Sequence, residues 1–460
     1  MHFERGSDYE RAVKYLQRAA DNATRRFAYQ EAVTLAQRGL ELIANLPDTR
    51  ARTEQELCLQ LTLGVPLMAT KGYAAAEVAG VYRRARELCQ QLGETPDVSE
   101  VLWGLWAYHI VRAELETARE IANEFLRLAE RLPYPGLAMR GHLAMEITLV
   151  HIGEFALCMD HFQKVLSYYD HDRHREDVFL YSQNTGVAML SHGAWALWFI
   201  GQPDGALKRM QEALNLAREL SEPHGLAHAL YFASILHHLR REERLAQEYA
   251  EAAIKIANEH GLVLYQSMAT ITLGWSLVEQ GNQDEGIELI RQGIAAHEGT
   301  GMQIATPHFI ALLAEALGRA GRADEGLRLF QDALELAQRN DEGCYVAELY
   351  RVKGELELMR GRQRVLSRAA TGGKAKLNTE GSAQAEREAE ACFQESIKIA
   401  QQQQAKSWEL RATTSLARLY RDQGKQKKAR NLLAPIYASF TEGFDTLDLR
   451  DAKALLDDGS

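Results

Sequence analysis

Cysteine is scarce in this chain and never clustered: Cys58, Cys89, Cys158, Cys344 and Cys392 stand singly, without a CxxC pair. Neither a disulfide framework nor a zinc-ribbon spacing can be built from them, and a reduced, cytoplasmic protein is the expectation. Positive charge is in deficit too. With 53 Lys and Arg against 63 Asp and Glu, the net charge is −10. No overall field exists to hold a polyphosphate backbone, so nucleic acid is not an expected partner. The longest apolar run, residues 186–201, is broken by Ser191 and His192 and is too short for a bilayer. It reads as a buried helix, and no membrane association is expected. The first residues lack the basic-then-apolar pattern of a secretory signal. Catalytic signatures are missing as well: no GxSxG turn and no HExxH is present. The segment closest to a phosphate-binding loop, Gly372-Gly373-Lys374, has Ala375 where Ser or Thr is needed and Arg368 where the first Gly belongs. No catalytic residue, cofactor or metal is therefore expected, and the chain reads as a non-enzyme.

With 46% hydrophobic residues there is ample core material. Ala, Leu, Glu, Gln and Arg fill most positions, the residues that lose least freedom in a helix. Proline numbers 9 and aromatics make up 8%, so strands are not expected. A fixed ruler runs through the sequence. Gly201, Arg241, Gly281, Gly321 and Gly361 open equivalent segments at steps of 40. Earlier markers fall at Gly153, Ala113, Tyr73 and Phe27, with a step of 48 between Gly153 and Gly201. Gly424 lies 40 beyond Gln384, which places an insertion of about 23 residues after Gly361. Internal periodicity of this kind is the mark of a solenoid.

Small residues repeat with the markers: Ala206, Ala213 and Ala217, then Ala246, Ala253 and Ala257, then Gly326, Ala333 and Ala337. Small side chains on one helical face let a neighbouring helix approach closely. A second helical stretch precedes each marker, so each unit is a helix hairpin with a left-handed turn between its arms. Pro47, Pro96, Pro133, Pro135 and Pro223 fall between hairpins, and Pro203 falls in a hairpin turn. Pro66 and Pro435 predict a kink or an early helix end. The prediction is an all-α, right-handed superhelix of about nine hairpins, each touching only its neighbours. Residues 1–361 form the array, 362–384 a flexible insertion without helical periodicity, and 385–460 the final repeats and cap.

The unit around Gly281, with Leu273-Gly274 eight residues before the turn Gly and Gly286 five after it, resembles the tetratricopeptide consensus. Its period of 40 rather than 34 leaves the superhelical pitch open. Further segments carry a resemblance over almost the whole chain: Tyr73 to Val78, Val101 to Trp106, Ala347 to Leu356 and Phe440 to Asp445. They are similar to the C-terminal half of bacterial signal-transduction ATPases with numerous domains, often fused to class III adenylate or guanylate cyclase or to protein kinase domains. The resemblance implies a sensor and protein-interaction arm, whether regulatory arm or stand-alone adaptor, and a protein or peptide partner. The start resembles the interior of an array, as in a piece of a longer protein.

Carried onto this register, the family's groove positions fall on Trp195 and Trp198, Tyr231 and His238, Trp275 and, further back, Trp103; in the C-terminal units they fall on Arg351, Glu355, Arg418 and Arg421. The expected groove thus passes from aromatic to charged. Aromatics at helical spacing are equally the stuff of cores. His224, His228, His237 and His238 form the densest histidine group, and the first two stand one helical turn apart. That spacing can bind zinc only with a third ligand, so a metalloenzyme on His224 and His228 is the lesser alternative. The mixed-charge segment from Asp170 to Asp177 carries the eight extra residues of the 48-step and reads as a solvated connection. Lys425 to Arg430, though basic, reads as a solvated helix start.

Overall fold

The computed structural model describes residues 8–93, 96–132, 135–175, 177–370 and 375–458. Among them there are helices and turns but no strand, and no helix is long and apolar enough to cross a membrane. Helices pair into antiparallel hairpins: α1 (Tyr9–Arg25) with α2 (Tyr29–Ile43), α3 (Arg50–Lys71) with α4 (Ala76–Leu92), α5 (Val98–Val111) with α6 (Leu115–Arg131), and α7 (Pro135–Ile152) with α8 (Phe155–Tyr168). The short α9 (Asp177–Tyr181) begins at the last residue of the eight-residue extension. Then follow α10 (Thr185–Phe199) with α11 (Pro203–Leu220), α12 (Pro223–Leu239) with α13 (Glu243–His260), α14 (Val263–Glu279) with α15 (Gln283–Gly299), and α16 (Thr306–Arg319) with α17 (Ala323–Arg339). Last come α18 (Val346–Ala370) with α19 (Ala375–Gln402), α20 (Lys406–Asp422) with α21 (Gln426–Ala438), and a single capping helix α22 (Leu447–Asp457). The described residues thus hold ten hairpins, against about nine expected.

The ruler is visible in the backbone. Phe27, Ala113, Gly153, Gly201, Arg241, Gly281, Gly321 and Gly424 all have positive φ, between 56° and 95°, and at the marker Tyr73 the left-handed residue is Gly72, one position earlier (88°). For Phe27, Ala113 and Arg241 this conformation costs roughly 1–2 kcal/mol each, so the packing of the hairpin imposes the turn. The small residues do what the spacing implies: Ala206, Ala213, Ala246 and Ala253 are wholly buried. A Cβ on Gly286 would sit 2.5 Å from the carbonyl oxygen of Gly274 on the facing helix, closer than any side chain tolerates.

Three expectations need correction. Of the two outcomes expected at Pro66 and Pro435, a helix end at the proline itself is the one to correct: both lie inside a helix, in α3 and α21. Gly361 lies within α18 rather than in a turn, and the described part of 362–384 is helical. Here α18 and α19 reach 25 and 28 residues, against 17 in helices such as α12 and α14. Extending a helix that is already nucleated costs little per residue, and this tract is rich in Arg, Lys, Ala and Gln. Residues 371–374, which include Gly372-Gly373-Lys374, lie outside the described residues, as does Pro133.

The third correction concerns reach, because units touch more than their neighbours. Gln303 and Ile304 donate backbone N–H groups to the carbonyl of Val111, and Cys344 donates to that of His151 (3.1 Å). Ser407 Oγ donates to the carbonyl of Trp198 at 2.5 Å. For Gln303, Cys344 and Ser407 these contacts span 192, 193 and 209 residues. With the eight-residue or 23-residue insertion inside each span removed, the spans become 184, 185 and 186. The turns of the third, fourth and fifth hairpins therefore each meet the start of the fifth hairpin further on, and one superhelical turn takes about 4.6 units of 40 residues. The superhelix closes onto itself.

Candidate functional site

Closure turns the concave face into an interior. The inner helix α10 has every residue from Thr185 to Phe199 buried, and α12 is buried over all but two of its residues. This is the physical meaning of the apolar run at 186–201. The side chains meeting there are bulky and flat, and they leave a cavity of ≈ 120 Å³, lined among others by Trp103, Trp106, His151, His192, Trp195, His228, Tyr231, Phe232 and Tyr265. A void of this size accommodates about one aromatic ring.

Polar atoms border this cavity without partners. Trp195 Nε1, His151 Nδ1 and His228 Nε2 are buried and make no hydrogen bond. Burial holds the histidines neutral: His151 falls to about 3 and His192 to about 4, while His228 is pushed well below its ordinary value. A buried polar group left unsatisfied costs about 1–3 kcal/mol, so three of them around one cavity are a standing offer to a ligand.

The cavity has a mouth. By the closure rule, the turn after α3 should meet the start of α14, one unit before the contact of Val111 with Gln303. In its place is an opening of ≈ 230 Å³ lined by Lys71, Gly72, Tyr73, Leu262, Val263 and Leu264 among others. Tyr73, Leu264, Tyr265 and Met302 line both spaces. Between them His224 Nε2 lies 3.1 Å from the Tyr73 hydroxyl and 3.4 Å from that of Tyr265, and His228 Nδ1 lies 3.2 Å from the latter.

At the other end of the interior the charged groups are paired. Five arginines and five carboxylates line one cleft. Arg411 donates to Asp448 (2.5 Å), Glu348 (3.3 Å) and the Leu239 carbonyl (2.6 Å), tying α20 to the capping helix, α18 and α12 at once. Arg241 and Arg418 hold Asp451 at 3.0 and 2.7 Å. Burial opposes the charge on Glu315, yet Arg319 and Arg351 overcome it and hold that carboxyl down at about 2.

The structure brings Trp103, Trp195 and Tyr231 to the cavity, and His238, Trp275, Arg351 and Arg418 to the ionic cleft. Trp198 instead packs edge-on against Trp408 at 4.8 Å. The aromatic members do not form an open stripe: Trp103, Trp195, Trp198, Tyr231 and Trp275 are each at most 6% exposed. Glu355 accepts from Ser415 (2.7 Å), and Arg421 is paired with Asp422 on the outside. His224 and His228 find tyrosine hydroxyls rather than a third ligand, His237 meets Glu242 at 2.5 Å, and His238 packs on Trp275. The extension from 170 is anchored by Asp177, which pairs with the buried Arg140 at 2.6 Å.

Sequence reasoning missed Tyr73, Trp106, His192, Phe232 and Arg411, and it missed one cluster altogether. His151, Glu342 and Cys344, all buried, place one ligand-type atom each within 4.8 Å of the others. Burial raises Glu342 to about 8. No spacing rule joins residues 191 apart; the superhelical period joins them.

Comparison with known proteins gives partial likenesses. The family described as anaphase-promoting complex subunit 5 matches residues 153–243 and 379–423. Uncharacterized protein R02095 of Rhizobium meliloti (strain 1021) is 21% identical over 370 residues, 79% of this chain and 35% of that protein. The chain therefore spans about a third of the length of the curated relative it matches. Among solved structures, a Rap protein complexed with Competence and Sporulation Factor is similar at a TM-score of 0.50 and 14% identity, covering 83% of this chain and 99% of that one. A signal transduction ATPase with numerous domains and a tetratricopeptide repeat sensor, from Pyrococcus horikoshii, is similar at a TM-score of 0.37 and 14% identity, over 84% of this chain and 55% of that one. The Rap likeness supports the tetratricopeptide-type superhelix as the fold.

Proposed function

We propose that this chain is a non-catalytic tetratricopeptide interaction and sensor module that holds a protein or peptide segment by seating an apolar side chain in the interior cavity. The observation that carries this reading is the conjunction of an aromatic cavity, three unpartnered polar atoms on its wall, and a mouth where a closure contact is replaced by an opening. Aromatic-lined cavities with a few convergent polar groups are the usual form of a ligand site, and hot-spot residues seat in such pockets. The Rap relative was solved with a factor bound, which fits a superhelix of this kind acting by binding.

The segments resembling signal-transduction ATPases support a finer reading: a cytoplasmic regulatory arm, with the nucleotide-binding domain and any cyclase or kinase domain elsewhere in the system. The match to 99% of the Rap chain favours a second, that a superhelix of this extent works as an adaptor in its own right. One experiment addresses the common core of both. A peptide array probed with the wild-type chain and with Ala107→Leu, which fills the cavity, should yield aromatic or aliphatic peptides that bind the first at least ~10-fold more tightly, as expected for a lost anchor. Equal binding to both, or no binding to either, sinks the proposal. ATP turnover by a nucleotide-binding domain encoded with the chain, measured with and without a selected peptide, then separates arm from adaptor.

A further inference from the structure

The closure contacts repeat, and their residues can be compared position by position. At the turn of the α5–α6 hairpin the carbonyl of Val111 receives the segment holding Met302 and Ile304. One superhelical step on, the carbonyl of His151 receives the segment holding Glu342 and Cys344; one further, that of Trp198 receives Ala405 and Ser407. Met302, Glu342 and Ala405 are equivalent, as are Ile304, Cys344 and Ser407, at separations of 40 and then 63 residues. Closure itself needs no charge or thiol, because its neighbours close with aliphatic and small side chains. Only the middle contact carries imidazole, carboxylate and thiol together.

All three are more than nine-tenths buried: His151 is 8% exposed, Glu342 3% and Cys344 2%. One carboxylate oxygen of Glu342 accepts from the backbone N–H of Ala305 at 2.7 Å, while the other, like His151 Nδ1, is buried without any partner. Among the described residues no arginine or lysine pairs with Glu342, unlike the carboxylates of the ionic cleft. A buried carboxylate and a buried thiol lacking a cation are what a divalent ion resolves: a thiolate, a carboxylate and a neutral imidazole around M²⁺ sum to zero charge.

We propose that His151, Glu342 and Cys344 form a binding site for a divalent transition metal of the zinc class, which clasps one turn of the superhelix to the next. The donor set fixes the class. Thiolate with imidazole disfavours magnesium and calcium, which take oxygen ligands, and suits zinc or cobalt. Three protein ligands leave one tetrahedral position open. His151 and Ala305 also line the aromatic cavity, so the site borders the space into which a ligand would come. The metal then ties the state of the closure to the occupancy of the cavity. The site stands on its own residues, whether or not the peptide reading holds.

The test uses the full chain, stripped with a chelator and titrated with Co²⁺ and Zn²⁺. Elemental analysis after gel filtration should give one zinc per chain, and the cobalt form should show the intense thiolate-to-metal absorption of a tetrahedral site. Cys344→Ser should lose that band, Glu342→Gln should weaken the affinity at least ~10-fold, and Cys58→Ser, at a half-buried cysteine elsewhere, should change nothing. A chain that retains no zinc, or a cobalt band that survives Cys344→Ser, overturns the proposal. Should that variant fail to fold, X-ray absorption on the wild-type zinc form decides: one sulfur with nitrogen and oxygen neighbours supports the site, and a shell without sulfur eliminates it.

Discussion

Two regions of one interior bury polar side chains and treat them in opposite ways. Around the aromatic cavity, Trp195, His151 and His228 keep atoms without partners. In the ionic cleft beneath the capping helix, Arg411, Arg351 and Asp448 each meet two or more opposite charges or carbonyls. Both stretches are built by the inner helices of the same kind of repeat, and α12 and α14 contribute to both, so the fold alone does not dictate the difference. A satisfied network holds elements in place and has no capacity left for a partner. An unsatisfied one is tolerated only where something offsets its cost, which is why the cavity and not the charged cleft is the binding candidate. The expectation of a groove running from aromatic to charged thus separates into a receptive space and a latch.

The sharpest way to break the contrast is to remove one group from each region. Arg411→Ala takes one of two cations from the buried Asp448 and Glu348, leaving Arg241 and Arg351 as their remaining partners, and cuts the tie from α20 to α12, so unfolding in urea should show a loss of about 3 kcal/mol. Trp198→Ala, at the closure against Trp408, should cost a similar ~3–5 kcal/mol by leaving a cavity. Trp195→Phe keeps one aromatic ring and loses the five-membered ring with an N–H that has no partner; the loss of packing is not compounded by a broken hydrogen bond, so the cost should stay at about 1–2 kcal/mol, well below that of Arg411→Ala. If Trp195→Phe costs as much as Arg411→Ala, the indole N–H has an unseen partner and the two regions are alike.

Acid separates the regions in a second and gentler way. His192 and His224 are held at about 4 in the folded chain, by burial, against an ordinary value near 6.5. Between those limits the unfolded chain binds more protons than the folded one. Their contribution is intact above pH ~6.5 and is lost progressively as pH falls toward 4. The melting temperature should therefore drop across this window. Glu315, held at about 2 by Arg319 and Arg351, should keep its ion pairs throughout it. His192→Phe should flatten part of the decline. A melting temperature constant from pH 6.5 to 4.5 would show that these rings are accessible to protons.

The repeat, the hairpins and the turn positions were legible because they are local: a small residue recurring at fixed offsets must face a close neighbour, and Gly201, Gly281 and Gly321 mark left-handed turns. The buried character of 186–201 was legible for the same reason. The pitch was not, since it depends on the angle at which ten successive hairpins stack, to which no single residue speaks. Everything made by closure was hidden with it, including the burial of Trp198, the mouth at Tyr73, the Arg411 latch and the meeting of His151 with Cys344. His224 and His228 drew notice by being adjacent in sequence, whereas the three residues that come together as potential ligands are brought there by a superhelical turn.

The smallest effect expected is at the elongated ends of the α18–α19 pair, where the array departs from its ruler away from the residues that line either interior region. Gly361 and Ala385 are both buried and face one another, a Cβ on the former lying 2.7 Å from the Cβ of the latter. Between them none of residues 362–366 or 381–384 is buried, and Leu366 is 69% exposed. Arg364 reaches Asp324 at 3.5 Å, but both side chains are more than half exposed, and such a pair contributes little. The helix ends at Gly361 and Ala385 are thus already adjacent, and a short turn can join them at the position where the other units turn. Shortening a connection changes closure entropy only weakly. Deleting residues 363–383 should move the melting temperature by a few degrees at most and leave urea unfolding of the Arg411→Ala variant unaltered. A drop of more than about 10 °C, equivalent to several kcal/mol, would mean that the extended pair packs against something and belongs to the array's core.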